Sequence, residues 1–209
     1  MYKKIDPLQA IRQYFPPEAF SAVETCFREH RFNMRISRPR KNKLGSFKPS
    51  PPPNNPVITV NADLGKYMFF LVFMHEIAHL IVHNKHSRNV PSHGKEWKSA
   101  FKSLIIPLLD NSLLPAELDP LLRKYFEKTP ATFIRQTALL GLINRLDGKE
   151  ETEILNNIPL NSVFALSNGR RFVKLETRRT RCRCLCLDNK RYYDVACNAQ
   201  IFPVNDHQS

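Results

Sequence analysis

The sequence predicts an α+β chain, a helix-rich first part followed by a small antiparallel β module. Three observations carry this. An almost unbroken apolar run, interrupted by histidines at helical spacing, covers residues 65 to 84. Short β-branched or alternating stretches precede it. From Leu160 onward the pattern changes to brief strands separated by turn dipeptides.

Residues 5 to 30 read as helical with a break at Pro16-Pro17, and Ala19, Phe20, Val23 and Phe27 recur as one buried face. Phe32 to Ser37 alternates as a strand, with Phe32, Met34 and Ile36 on one side. A basic turn, Arg38 to Gly45, follows, and the prolines of 49 to 56 exclude regular structure there. Val57 to Val60 is a short β-branched strand, and Asn61 and Asp63 stand where they can cap the next helix. That helix, Gly65 to Asn84, is apolar all round apart from His75, Glu76, His79 and His83, so it is expected to be buried on most sides. A second helix is expected over His93 to Ile106. The stretch from Pro107 to Lys149 reads as helical pieces broken at Pro115, Pro120 and Pro130, and the charged run Asp147 to Glu153 marks a boundary. Strands are expected at Val163 to Leu166, Arg171 to Thr177, Arg181 to Leu187, Tyr192 to Ala196 and Ile201 to Val204, turned at Asn168-Gly169 and Asp188-Asn189. This gives a first domain over 1–110, a helical connector over 111–159 and a β-rich module over 160–209.

The chain has 209 residues, is 42% hydrophobic and carries a formal net charge of +13. Global disorder is excluded, and so basic a balance points to an anionic partner, nucleic acid ahead of an acidic membrane surface. Five cysteines, three of them in one short run, make a poor disulfide framework. The opening Met1 to Ala10 is polar, so no secretory leader is expected, and the longest apolar run, Tyr67 to Met74, falls short of the ~20 residues of a membrane span. A cytoplasmic location without membrane contact is the expectation.

His75-Glu76-Ile77-Ala78-His79 is a His-Glu-x-x-His motif on an expected helix. Residues four apart on a helix stand one above the other, so both imidazoles can reach one ion. Glu76 lies beside the first ligand and can act as general base on a water that zinc has acidified. Two imidazoles and a carboxylate within so apolar a helix would be costly without a partner, which argues against a solvated histidine face. A catalytic zinc takes three protein ligands. His83 lies about 12 Å from His75 along the helix axis, too far for one straight helix to close around an ion. His86, Glu96 and Glu117 lack supporting motifs. His93 follows the loop from Lys85 to Ser92, which lets the chain turn back, and it is the favoured third ligand.

The combination of His75-Glu-Ile-Ala-His79 with His93-Gly94-Lys-Glu-Trp97, preceded by Leu44-Gly-Ser-Phe47 and Val57-Ile-Thr-Val-Asn61, resembles the SprT-like zinc peptidase family. That family includes the Spartan and Wss-type proteases, which digest proteins crosslinked to DNA. The resemblance covers roughly residues 5 to 110. It implies a zincin-like, helix-rich catalytic domain with a small sheet, one catalytic zinc on His75, His79 and His93, Glu76 as the catalytic residue, and Trp97 packed beside the site. The expected function is a zinc metalloendopeptidase acting on protein or peptide substrates, with DNA as a partner. The substrate is expected to pair in extended form with the strand at Val57 to Val60. The alternative is a nucleic-acid-binding, transcription-related protein with a vestigial peptidase site.

Positive charge concentrates in two segments, Arg28 to Lys48 and Arg170 to Arg191. The expected nucleic-acid contacts are Arg38, Arg40 and Lys41 in the first, and Arg179, Arg181 and Arg183 on one face of a strand in the second. Tyr192, Tyr193 and Phe172 are candidates for stacking on bases. The other strand face takes Cys182, Cys184 and Cys186. The family resemblance implies a zinc ribbon after the peptidase domain, but a ribbon uses Cys-x-x-Cys knuckles. Alternate residues on a strand stand about 6.6 Å apart, too far for neighbouring zinc thiolates. The cysteines, with Cys197, therefore read as core residues of a degenerate ribbon without metal.

Overall fold

A computed structural model describes residues 7–40, 43–86, 90–128, 137–149 and 153–204. It is α+β, with six helices and two sheets among the described residues. The chain divides into two compact units, Met1–Gly148 and Lys149–Ser209.

In the first unit, helix α1 (Pro7–Ile11) runs into short 3-10 turns around Pro16-Pro17, then α2 (Phe20–Glu29). Strands β1 (Asn33–Ser37), β2 (Gly45–Lys48) and β3 (Val57–Asn61) form a sheet in the order β1-β3-β2, with β3 parallel to β1 and antiparallel to β2. Helix α3 (Lys66–Lys85) lies against this sheet, and α4 (Lys95–Asp110) packs alongside α3. Phe15, Phe20, Phe69 and Phe73 meet at one end of α3, mostly edge to face, the arrangement that aromatic quadrupoles favour. Buried residues surround α3 on nearly every side, as its composition requires.

Three differences from the sequence expectation have clear causes. Helix α4 runs through Pro107 to Asp110, because the proline follows three turns of helix already held by the buried Trp97, Phe101 and Ile105. Pro120 does not break a helix. It stands in the first turn of α5 (Leu118–Lys128), where an N–H would have no intrahelical acceptor. Pro130 lies outside the described residues. Finally, 111–159 does not stand apart as a connector. Leu118, Leu122 and Phe126 of α5, and Leu139, Leu142 and Ile143 of α6 (Thr137–Leu146), join the same core as α3, while Leu155 and Ile158 belong to the second unit's core. The break between units falls at 148/149, within the charged run expected to be a boundary.

The second unit is a six-stranded sheet in the order β4-β9-β5-β6-β7-β8. Its strands are β4 (Glu153–Ile154), β5 (Val163–Ala165), β6 (Arg171–Thr177), β7 (Arg181–Cys186), β8 (Tyr192–Ala196) and β9 (Gln200–Pro203). All pairings are antiparallel. Cys182, Cys184 and Cys186 alternate into a small core with Phe164, Phe172 and Ile201. Lys174 is buried with them, and its Nζ donates to the carbonyls of Ile158 (2.7 Å) and Asn156 (3.2 Å). Among the described residues no helix is long and apolar enough to cross a membrane.

Candidate metal centre and basic surfaces

Helical spacing on α3 brings His75 and His79 together, ring centroids 5.0 Å apart, and the loop before α4 returns His93 to both. The Nε2 atoms of His75 and His93 approach to 3.2 Å. One ligand atom from each of the three histidines lies within 4.8 Å of the others, and among the described residues this is the only group of its kind. His83, His86, Glu96 and Glu117 are not part of it. His83 turns instead towards Phe47, ring centroids 5.5 Å apart. Four ligands at zinc–nitrogen distances stand ~3.4 Å from one another, so three imidazole nitrogens at this spacing fit such an ion with little movement.

Trp97, fully buried in the first turn of α4, backs the cluster. Its ring lies 4.5 Å from that of His75, 4.7 Å from His93 and 5.5 Å from His79, and its Nε1 donates to the His75 carbonyl (3.3 Å). Burial lowers the pKa of all three histidines, to about 3 for His75 and about 4 for His79, with neighbouring imidazoles adding to the shift at both. The neutral imidazole is the form that binds a metal, so the site favours the ligating state.

Glu76 is 6% exposed. Burial raises its carboxyl pKa to about 7, opposed by a hydrogen bond from the Phe47 backbone and by the charges of Arg40 and Lys43. The carboxylate therefore faces β2. A methyl placed on Gly45 would come within 2.6 Å of Glu76 Oε1 and 2.5 Å of Val72 Cγ1, which explains a glycine at a position without unusual backbone angles.

The sheet order corrects the expected substrate strand. β3, which contains Val57 to Val60, is central and paired on both sides, so it has no edge to offer. The edge strand beside Glu76 is β2. Here sequence reasoning missed functional residues: Gly45 and Phe47 against the carboxylate, and the network that holds β2 in place. Asn61, 1% exposed, is its centre and does not cap α3. Its Oδ1 accepts from Arg40 Nε (2.8 Å) and Ser37 Oγ (3.2 Å), and its Nδ2 donates to the Lys43 carbonyl (3.1 Å). Arg40 also donates to Ser46 Oγ (3.0 Å) and the Thr59 carbonyl (3.4 Å). The start of α3 is capped from afar. Asp147, just past α6, accepts from the backbone N–H groups of Tyr67 (2.7 Å) and Met68 (3.1 Å).

The expected nucleic-acid contacts separate into distinct situations. Arg38 is exposed, and Lys41 lies outside the described residues. The guanidinium of Arg40 is spent on Asn61, Ser46 and Thr59, so its role is internal. Arg179 sits in the exposed turn before β7; Arg181 is also exposed and reaches the Asp194 carbonyl (3.0 Å), and Arg183 lies over the Tyr192 ring at 5.1 Å. Of the three stacking candidates only Tyr192, 59% exposed, offers a free face. Phe172 is buried in the core, and the Tyr193 hydroxyl accepts from Arg170 (2.9 Å) and Asn189 (2.8 Å).

No family model, no curated protein and no solved structure matches this chain.

Proposed function

We propose that the first unit is a zinc-dependent metalloendopeptidase, as the SprT-like resemblance of its motifs implies. The observation that carries this reading is the meeting of His75, His79 and His93 within 4.8 Å, with Glu76 buried on the same helix and turned to an edge strand. The three histidines would hold the ion, whose chemistry there is Lewis acidity toward a carbonyl and an attacking water. Glu76 takes the proton of that water at its carboxylate and returns it to the leaving amine. Its burial among apolar neighbours excludes bulk water from the proton transfer. An extended substrate peptide pairs with β2, the sheet edge beside Glu76, where it gains backbone hydrogen bonds without demanding a particular sequence.

The substrate class of this reading is protein bound or crosslinked to DNA, with the second unit supplying DNA contact. Supporting it are the net charge of +13, the exposed Arg179 and Arg181 at one end of the β7-β8 pair, and the exposed Tyr192 towards its other end. Phosphate contacts of this kind weaken steeply with salt.

The test is Glu76→Gln. It should keep one zinc per chain and lose cleavage of a DNA-bound protein. Wild-type cleavage by E76Q sinks the mechanism. A wild-type protein that binds zinc and DNA but cuts nothing favours a nucleic-acid-binding protein with a vestigial peptidase site.

A further inference from the structure

The second unit holds a cluster that neither the metal centre nor the basic surface uses. Three thiols point inward from β7, and Cys197 joins them from the end of β8, where its N–H donates to the Thr180 carbonyl (3.1 Å). The four thiols are not equivalent. Cys184 Sγ turns to the Cys182 carbonyl (3.4 Å). Cys186 Sγ accepts from Arg170 Nη2 (3.2 Å) and lies 3.9 Å from Asp188. Cys182 Sγ and Cys197 Sγ face each other at 3.0 Å. Cys182 is fully buried, whereas Cys197 is only partly covered, so one sulfur of the pair is open to a small oxidant and the other is shielded.

No thiol of this cluster belongs to a metal-holding group of three among the described residues, so a zinc site does not account for the pairing. Hydrophobic packing does not account for it either. Cys184 is as deeply buried without facing another sulfur. Two facing sulfurs, one partly covered and one fully buried, have the arrangement of an attacking thiol and its resolving partner. The hydrogen bond with Cys182 and burial hold the Cys197 thiol above its ordinary pKa, offset only in part by the nearby Lys174 ammonium, so the thiolate that reacts is a minor form.

We propose that Cys182 and Cys197 form a reversible dithiol–disulfide couple that responds to peroxide. Cys197, as thiolate, attacks one peroxide oxygen. The O–O bond breaks, the second oxygen leaves as water after protonation, and Cys197 becomes a sulfenic acid. Cys182 then attacks that sulfur, the S–S bond forms and a second water leaves with the Cys182 proton. Two thiols give up two electrons and hydrogen peroxide is reduced to two waters. A cellular dithiol of the thioredoxin class reverses the step by exchange.

The couple sits under the turn that carries Arg178 and Arg179. In the dithiol form, Cys197 Sγ donates to the Arg178 carbonyl (3.5 Å) and Cys182 Sγ lies 4.0 Å from Thr177 Oγ1. Disulfide formation removes both S–H donors from that turn while tying β7 to β8. Oxidation state is thereby read out at the arginine-bearing end of the module, independently of any peptidase activity.

The experiment uses the full chain, reduced and then treated with hydrogen peroxide, denatured, alkylated and analysed by mass spectrometry. Of the five cysteines, the treated protein should leave three open to alkylation. Its mass should fall by two hydrogens before alkylation, and one crosslinked peptide should join Cys182 to Cys197. Reduction should restore all five. Cys197→Ser, a change at a partly covered position, should abolish the crosslink, and Cys184→Ser should keep it. Stable sulfinic acid on Cys197 without a crosslink, a crosslink to Cys184 or Cys186, or five thiols still free after treatment would each overturn the proposal. The wild-type measurement decides the matter even if a serine variant folds poorly.

Discussion

Gly45→Ala adds one methyl group where β2 meets α3. The added carbon would lie 2.5 Å from Val72 Cγ1, 2.6 Å from Glu76 Oε1 and 3.0 Å from Glu76 Cγ. Carbon contacts settle at about 3.5–4.0 Å, so β2 and the carboxylate must separate by roughly 1 Å. Val72 and Glu76 are 4% and 6% exposed and packed on all sides, so most of the movement falls on β2, which breaks the Phe47 N–H bond to Glu76. Overpacking of this kind costs about 1–3 kcal/mol. For a chain of this size that is a loss of about 2–4 °C in Tm per kcal/mol. Because a displacement of ~1 Å at a reacting group can cost about 10²-fold in rate, cleavage should fall far more than stability does. Zinc content should be unchanged, since the three histidines lie on α3 and the loop before α4. The assay pairs thermal unfolding, zinc content and cleavage rate with amide exchange at Phe47, whose protection should drop. Gly141→Ala is the matched control. It lies exposed in α6 with no atom within 4 Å of its added carbon, and helix propensity alone should raise stability by up to ~1 kcal/mol. A G45A protein with wild-type Tm, cleavage and Phe47 exchange would refute the idea that β2 is pressed against the carboxylate.

His93→Ala should lose or greatly weaken zinc binding, measured by elemental analysis beside wild type; full retention moves the third ligand elsewhere. Asp147→Ala removes the acceptor for two N–H groups at the start of α3 and should cost about 0.5–2 kcal/mol in denaturant unfolding of the first unit. Asn61→Ala leaves the Lys43 carbonyl and the Arg40 guanidinium short of partners, for a loss of about 1–3 kcal/mol. Arg40→Lys should not rescue β2, because an ammonium cannot span Asn61, Ser46 and Thr59 as the planar fork does; retained Phe47 protection in R40K counts against this. Lys174→Met should strip the Asn156 and Ile158 carbonyls of their donor and destabilise the second unit by a similar ~1–3 kcal/mol, leaving zinc content untouched.

What could be read in the sequence was what depends on local period. The four-residue spacing of His75 and His79 places both on one face of any helix, and the apolar run around them made the helix unmistakable. The alternation of Cys182, Cys184 and Cys186 likewise announced an inward strand face. The approach of His93 to His75 and His79 was legible only from the loop length and the motif around it. Sheet order was not legible. The parallel pairing of β1 with β3 leaps over β2, and no local pattern says that the strand nearest α3 in sequence is the sheet's middle. Arg40 was misread for the same reason. In the sequence it is one of a run of cations, and only the fold brings the buried Asn61 amide to it. The second helix was expected to end at Ile106, and Pro120 was read as a break, because the tertiary support of Pro107 and the place of Pro120 within a first turn do not show in a chain of letters.

Asp147 gives α3 a footing that comes from the far end of its own unit. A shortened chain stopping at Asp110 would contain every histidine of the cluster, Glu76 and Trp97, and would look complete by motif. It would also lack the carboxylate beneath the first turn of α3, the α6 helix that packs against α3, and Phe126 of α5, which meets Phe101 of α4. The smallest piece that can hold the histidines in place therefore reaches past residue 147, and an inactive or insoluble fragment cut at 110 would report a missing foundation rather than a missing chemistry.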